Sequence, residues 1–82
     1  MKLVTIPAGA FVVNTLLLWD EESKEAAIVD PGDREAVEEI EDLVSRYDLK
    51  VKYIINTHEH PDHTAANAWA KLKFKEAKLL MH

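Results

Sequence analysis

The sequence predicts an α/β domain on a mixed sheet, with its elements in the order β-β-β-α-β-α-β. Three observations carry that expectation. Short apolar runs separated by polar turns occupy the first third of the chain. Residues 36–47 then repeat their apolar positions at helical spacing. After them an apolar run, a second helical stretch and another apolar run alternate, as in strands joined by helices. At 82 residues, the whole of 1–82 reads as one small domain, with no repeat or linker.

Residues 3–6 read as a first strand, closed by Pro7-Ala8-Gly9. Residues 11–19 are rich in β-branched and large apolar side chains and read as a longer strand. Asp20 and the four residues after it form a polar turn. Residues 26–29 make a short apolar strand ended by Pro31-Gly32. Asp33 is placed to cap a helix whose inner positions are Ala36, Val37, Ile40, Leu43, Val44 and Tyr47, with an acidic outer face. Residues 51–55 read as the next strand. Thr64 is placed to cap a second helix, its apolar side running through Ala68, Trp69 and Leu72 towards Phe74. Residues 78–81 read as a last strand.

Composition excludes several chemistries. The chain has no cysteine, so disulfides, thiolate metal sites and cysteine nucleophiles are absent. Apolar runs such as residues 16–19 are far too short to span a bilayer. Residues 1–3 do not begin a signal peptide, so the expected location is cytoplasmic, with no membrane partner. The net charge of −5 gathers in residues 20–48, which hold twelve acids and three bases. Residues 49–82 are net basic, but Lys71, Lys73, Lys75 and Lys78 lack an aromatic platform, so no nucleic-acid partner is expected.

The chemistry concentrates in Thr57-His58-Glu59-His60-Pro61-Asp62-His63, which packs three of the four histidines and two acids between a strand and a helix. In extended backbone, residues two apart point the same way, so His58 and His60 can converge on one point. Pro61 holds His60 extended. Asp62 and His63 follow, offering an oxygen and a nitrogen to a second point. Imidazole with carboxylate suits zinc, and also iron or manganese. The alternative is a solvated polar loop that caps the helix.

This loop resembles the HxHxDH signature of the metallo-β-lactamase superfamily. Val29-Asp30-Pro31-Gly32 resembles a turn of the same family, and Asn14 is similar to its glyoxalase II-like branch. The resemblance implies that His58 and His60 bind a first metal, and Asp62 and His63 a second. It implies that Asp30 orients the loop near the metals, and that Asp62 also orients a metal-bound hydroxide attacking a small-molecule substrate. Glu59 takes no role.

In that family, two similar αβ halves pack face to face as αβ/βα. The resemblance places this chain over the first half, and the remaining ligands belong to the second. His82 stands outside the family's ligand pattern and reads as a strand-end residue. Such a half-domain is expected to leave a sheet face uncovered, exposing Leu16 and Leu18, with the strand over residues 11–19 at an edge. A homodimer or a complementary half-domain is the expected partner. Two functions follow: a self-associating metal-binding half-domain with little hydrolysis of its own, or an active binuclear hydrolase of thioesters or other esters.

Overall fold

The computed structural model describes residues 1–8, 13–32, 34–57 and 64–81. Five strands and two helices follow the expected order: β1 (Lys2–Ala8), β2 (Val13–Trp19), β3 (Glu25–Val29), α1 (Arg34–Tyr47), β4 (Lys50–Asn56), α2 (Thr64–Lys73) and β5 (Lys78–Met81). They form one mixed sheet in the order β1-β2-β3-β4-β5. The first three strands pair antiparallel, and β3, β4 and β5 pair parallel.

Chain direction explains where the helices sit. Each parallel connection steps to the next strand in the same direction across the sheet. Right-handed crossovers of that kind lay both helices on one face. Val37 and Ile40 of α1 and Ala70 of α2 are fully buried with Leu17, Ile28 and Ile54 of the sheet. Tyr47 closes one end of this layer by stacking on Trp19, ring centroids 5.4 Å apart. The acidic face of α1 meets the basic end of α2 through Glu41 and Lys73, whose charged atoms lie 3.3 Å apart.

Turn and cap residues are placed by ordinary hydrogen-bond demands. Lys24 takes a left-handed φ of 66° between β2 and β3, where its N–H is donated to the Asp20 carbonyl at 2.8 Å. Asp48 ends α1 in the same conformation, φ 55°. The Leu49 N–H then reaches back to the Val44 carbonyl, 2.9 Å, which satisfies one of the last carbonyls of the helix. The ammonium of Lys71 covers the chain after α2 by donating to the carbonyls of Lys75 and Ala77.

Three expectations need correction. β1 does not stop before Pro7 but runs on to Ala8, with Pro7 opposite Asn14. An edge strand needs donors on one side only, so proline is tolerated there. β2 is not an edge, because β1 folds back beside it and covers its outer side. Among the described residues the edges are β1 and β5. Ala68 and Leu72 do not face inward: both are exposed, Leu72 by 64%, and Ala70 takes the buried position. Two residues apart on a helix is more than half a turn, so neither can face the sheet together with Ala70. Asp33 lies outside the described residues.

Alternation along the strands sorts the two sheet faces. Thr15, Leu17 and Trp19 point towards the helices and are buried. Leu16 and Leu18 point the other way, in register with Val29 and Ala27 on β3. Tyr53, Ile55 and Leu80 continue that second face across β4 and β5, and Leu3 continues it on β1. Leu3, Tyr53 and Leu80 remain 62%, 45% and 44% exposed, so the helices leave this face open.

Candidate metal centre

The candidate site lies at the carboxyl ends of the parallel strands, where open α/β sheets bind their ligands. β3 leads there into Asp30-Pro31-Gly32, and β4 leads into Thr57 and the histidine loop. β2 runs the opposite way, so its beginning lies at this same end. Leu16 pairs with Val29, which brings Thr15 beside the Asp30 turn.

Asp30 joins the two parallel strands. Its N–H is donated to the Ile55 carbonyl at 2.7 Å, carrying the β3–β4 ladder one step past the strand. Its carboxylate then accepts twice from Thr57. The backbone N–H is 2.7 Å from one oxygen, and the hydroxyl is 2.5 Å from the other. Bonds to an ionised acceptor are shorter and stronger than neutral ones. Thr57 is the residue immediately before His58, so this clamp fixes where the histidine loop leaves the sheet.

The Asp30 backbone is itself unusual, with a left-handed φ of 53°. Aspartate tolerates that region better than most residues, at a cost of order 1 kcal/mol. The conformation is held from β2. The Thr15 hydroxyl donates to the Asp30 carbonyl at 2.8 Å and accepts the Gly32 N–H at 2.9 Å. Thr15 is completely buried, and so is Pro31 within the turn it brackets.

Of the residues the sequence singles out, Asp30 stands at this end of the sheet and grips the start of the loop. Asn14 is exposed on β2 beside it, facing away from the helices. His58, Glu59, His60, Asp62, His63 and His82 lie outside the described residues. Among the described residues no group of three or more histidine, cysteine or acidic side chains could hold a metal ion. The fit to a metal therefore rests on donor chemistry. Three imidazoles and two carboxylates follow directly on Thr57, and such donors suit borderline and hard divalent cations.

Thr15 escapes a reading of the sequence. The available signal is a polar residue in phase with Leu17 and Trp19, on the buried side of an apolar strand. A buried hydroxyl there requires partners, but the sequence does not say which.

Comparison with known proteins agrees with this layout. The family model described as the metallo-beta-lactamase superfamily matches residues 8–82. The chain is 41% identical over 74 residues to the hydroxyacylglutathione hydrolase GloC of Haemophilus influenzae, covering 90% of this chain and 34% of that protein. It is 43% identical over 49 residues to the mitochondrial persulfide dioxygenase ETHE1 of Bos taurus, covering 60% of this chain and 19% of that one. The crystal structure of ETHE1 from Myxococcus xanthus superposes with a TM-score of 0.78 at 28% identity, over 96% of this chain and 34% of that one. That of the BLEG-1 B3 metallo-beta-lactamase gives 0.76 at 30% identity, over 95% and 35%. The chain thus spans about a third or less of the length of these relatives. With the sheet order, the turn at Asp30 and the family match in agreement, the chain belongs to the metallo-beta-lactamase superfamily.

Proposed function

We propose that this chain is the first metal-ligating half of a metal-dependent hydrolase centre, and that alone it binds metal with little or no turnover. His58 and His60 take the first metal, and Asp62 and His63 the second. Zinc is the first choice for these donors, with iron or manganese as alternatives. Bound there, the metals supply an activated water and stabilise developing negative charge. The chain's own contribution is to aim its donors, and in an active assembly Asp62 also orients the water. The observation that carries this reading is the double hydrogen bond from Thr57 to the Asp30 carboxylate, directly before His58.

We also propose that the site is completed by another sheet, and the open sheet face supports this. Its centre is apolar, from Leu18 and Leu16 through Ala27 and Val29 to Tyr53 and Ile55. The charged residues Glu25, Lys50 and Lys78 stand at strand ends, and Lys52, the extra residue at the β4 bulge, is exposed towards the same end as Lys50. A second copy of this chain can therefore cover the face without burying like charges at its centre, and we assign it that occupant for the isolated chain. A native mass spectrum with added zinc reports subunit number and bound metal together. A dimer carrying a fixed number of zinc ions agrees with this reading, and a metal-free monomer overturns it.

A second reading is an active hydrolase of thioesters or other esters. The similarity to a hydroxyacylglutathione hydrolase over most of the chain favours it. Similarity to a persulfide dioxygenase over a shorter stretch means that these residues alone do not choose the reaction. Hydrolysis of an activated thioester, abolished by chelator and by His60→Ala and restored by zinc, distinguishes this reading from binding without turnover.

A further inference from the structure

We infer that Thr15 is a positioning residue for the metal loop, acting across two strands through Asp30 on Thr57. The inference rests on the metal reading above and adds a residue that neither the motif nor the metal ligands include.

The relay is a chain of short contacts. The Thr15 hydroxyl spans the Asp30-Pro31-Gly32 turn, donating to the carbonyl at its start and accepting the N–H at its end. One side-chain atom thus uses both its donor and its acceptor capacity on one turn. The turn so held contains the left-handed Asp30. A carboxylate leaving the backbone from that conformation meets both donors of Thr57, 27 residues further on. Rotation of the Asp30 backbone towards an ordinary φ would swing its carboxylate away from Thr57. Release of Thr57 would free the first residue of the loop.

Burial makes the hydroxyl hard to replace. Thr15 has no exposed surface, so water cannot stand in for a lost oxygen. Valine keeps the shape but leaves a carbonyl and an N–H of the turn unpaired. Serine keeps both hydrogen bonds and loses one methyl group.

A merely structural Thr15 would lower stability without a selective effect at Thr57. The test is therefore local. Amide hydrogen exchange is measured on the full chain for Thr57 and for Ile54, which lies in the β3–β4 ladder. Zinc affinity is measured on the same folded samples. In Thr15→Val the Thr57 amide is expected to lose about 10-fold in protection relative to Ile54, a change of about 1.4 kcal/mol. Zinc affinity falls by about 10-fold, as when other residues supporting metal ligands are removed. Thr15→Ser returns both to within about 2-fold. Equal Thr57 protection in wild type and Thr15→Val overturns the inference.

If Thr15→Val fails to fold, Thr15→Cys is compared with Thr15→Ser. The two are close in size, but a thiol is the weaker hydrogen-bonding group. Lower Thr57 protection in the cysteine variant supports the relay, and equal protection overturns it. A wild-type chain that binds no zinc overturns the metal reading instead, and Thr57 protection then decides the positioning claim by itself.

Discussion

The Asp30 carboxylate accepts both the backbone N–H and the hydroxyl of Thr57, at 2.7 and 2.5 Å. One side chain thus joins the ends of two parallel strands at the point where the histidine loop begins. It does so from a left-handed backbone, φ 53°. The contacts and the backbone conformation act in opposite directions on stability, and substitution can separate them.

Asp30→Ala removes both acceptors and leaves a residue poorly suited to the conformation. Hydrogen bonds to a charged group contribute about 1.5–3 kcal/mol when buried, and less at this half-exposed position. A loss of about 1–2 kcal/mol is expected, lowering the melting temperature by about 5–15 °C. Asp30→Gly also removes the acceptors but takes the positive φ at no steric cost, recovering about 1 kcal/mol. Thermal melts at one fixed protein concentration should therefore rank wild type above glycine and glycine above alanine. An alanine variant melting with wild type would show that the Thr57 contacts contribute nothing.

The helix layer gives a second contrast. Ile40 is fully buried between α1 and the sheet, and Leu72 on α2 is mostly exposed. Ile40→Ala is expected to cost about 2–5 kcal/mol, a large share of what so small a domain has. Leu72→Ala is expected to change stability by no more than about 0.5 kcal/mol. Urea titrations of the two variants check this directly. A large loss at Leu72 would mean that α2 packs through that side chain in solution.

These two comparisons mark what could be read from the sequence. Ile40 was legible because Val37, Ile40 and Val44 repeat at helical spacing, a signal carried by neighbours on one helix. Leu72 was misplaced because α2 is alanine-rich, and small residues leave the phase of the buried stripe weakly marked. The edge position of β1 is hidden by Pro7, which looks like a strand breaker until the sheet order shows that, among the described residues, its other side faces no strand. The turn at Asp30 and the histidine loop were visible as motifs. Their connection is legible only as what the resemblance implies for Asp30; its partner Thr57 is not, since the contact joins residues 27 apart through a conformation that no local pattern encodes. Thr15 lay further out of reach, because its two partners sit on a turn 15 and 17 residues away.

The open sheet face predicts self-association that a single charge can abolish. Leu18 lies on that face one strand in from the β1 edge, opposite Leu3 on one side and Ala27 on the other. Lysine there would place an ammonium against the apolar face of a second copy, where it has no partner. Wild type is expected to sediment as a dimer at micromolar concentration, and Leu18→Lys as a folded monomer with an unchanged circular dichroism spectrum. A monomeric wild type would sink the assignment of a second copy to this face.

Metal binding should depend on the loop histidines and not on the fourth. His58 and His60 stand two residues apart after a strand, a spacing that lets both imidazoles reach one ion. His82 follows β5 and belongs to no such pair. In titrations with zinc, His58→Ala and His60→Ala are each expected to weaken binding by more than about 10-fold, since losing a direct ligand costs more than losing its support. His82→Ala should stay within about 2-fold of wild type on the same scale. Under the proposed assignment of Asp62 to the second metal, Asp62→Ala should lower the number of ions bound while leaving the first-site affinity nearly intact. An affinity that survives both His58→Ala and His60→Ala would move the metal away from this loop. The Asp30–Thr57 clamp would then be a feature of folding rather than of binding.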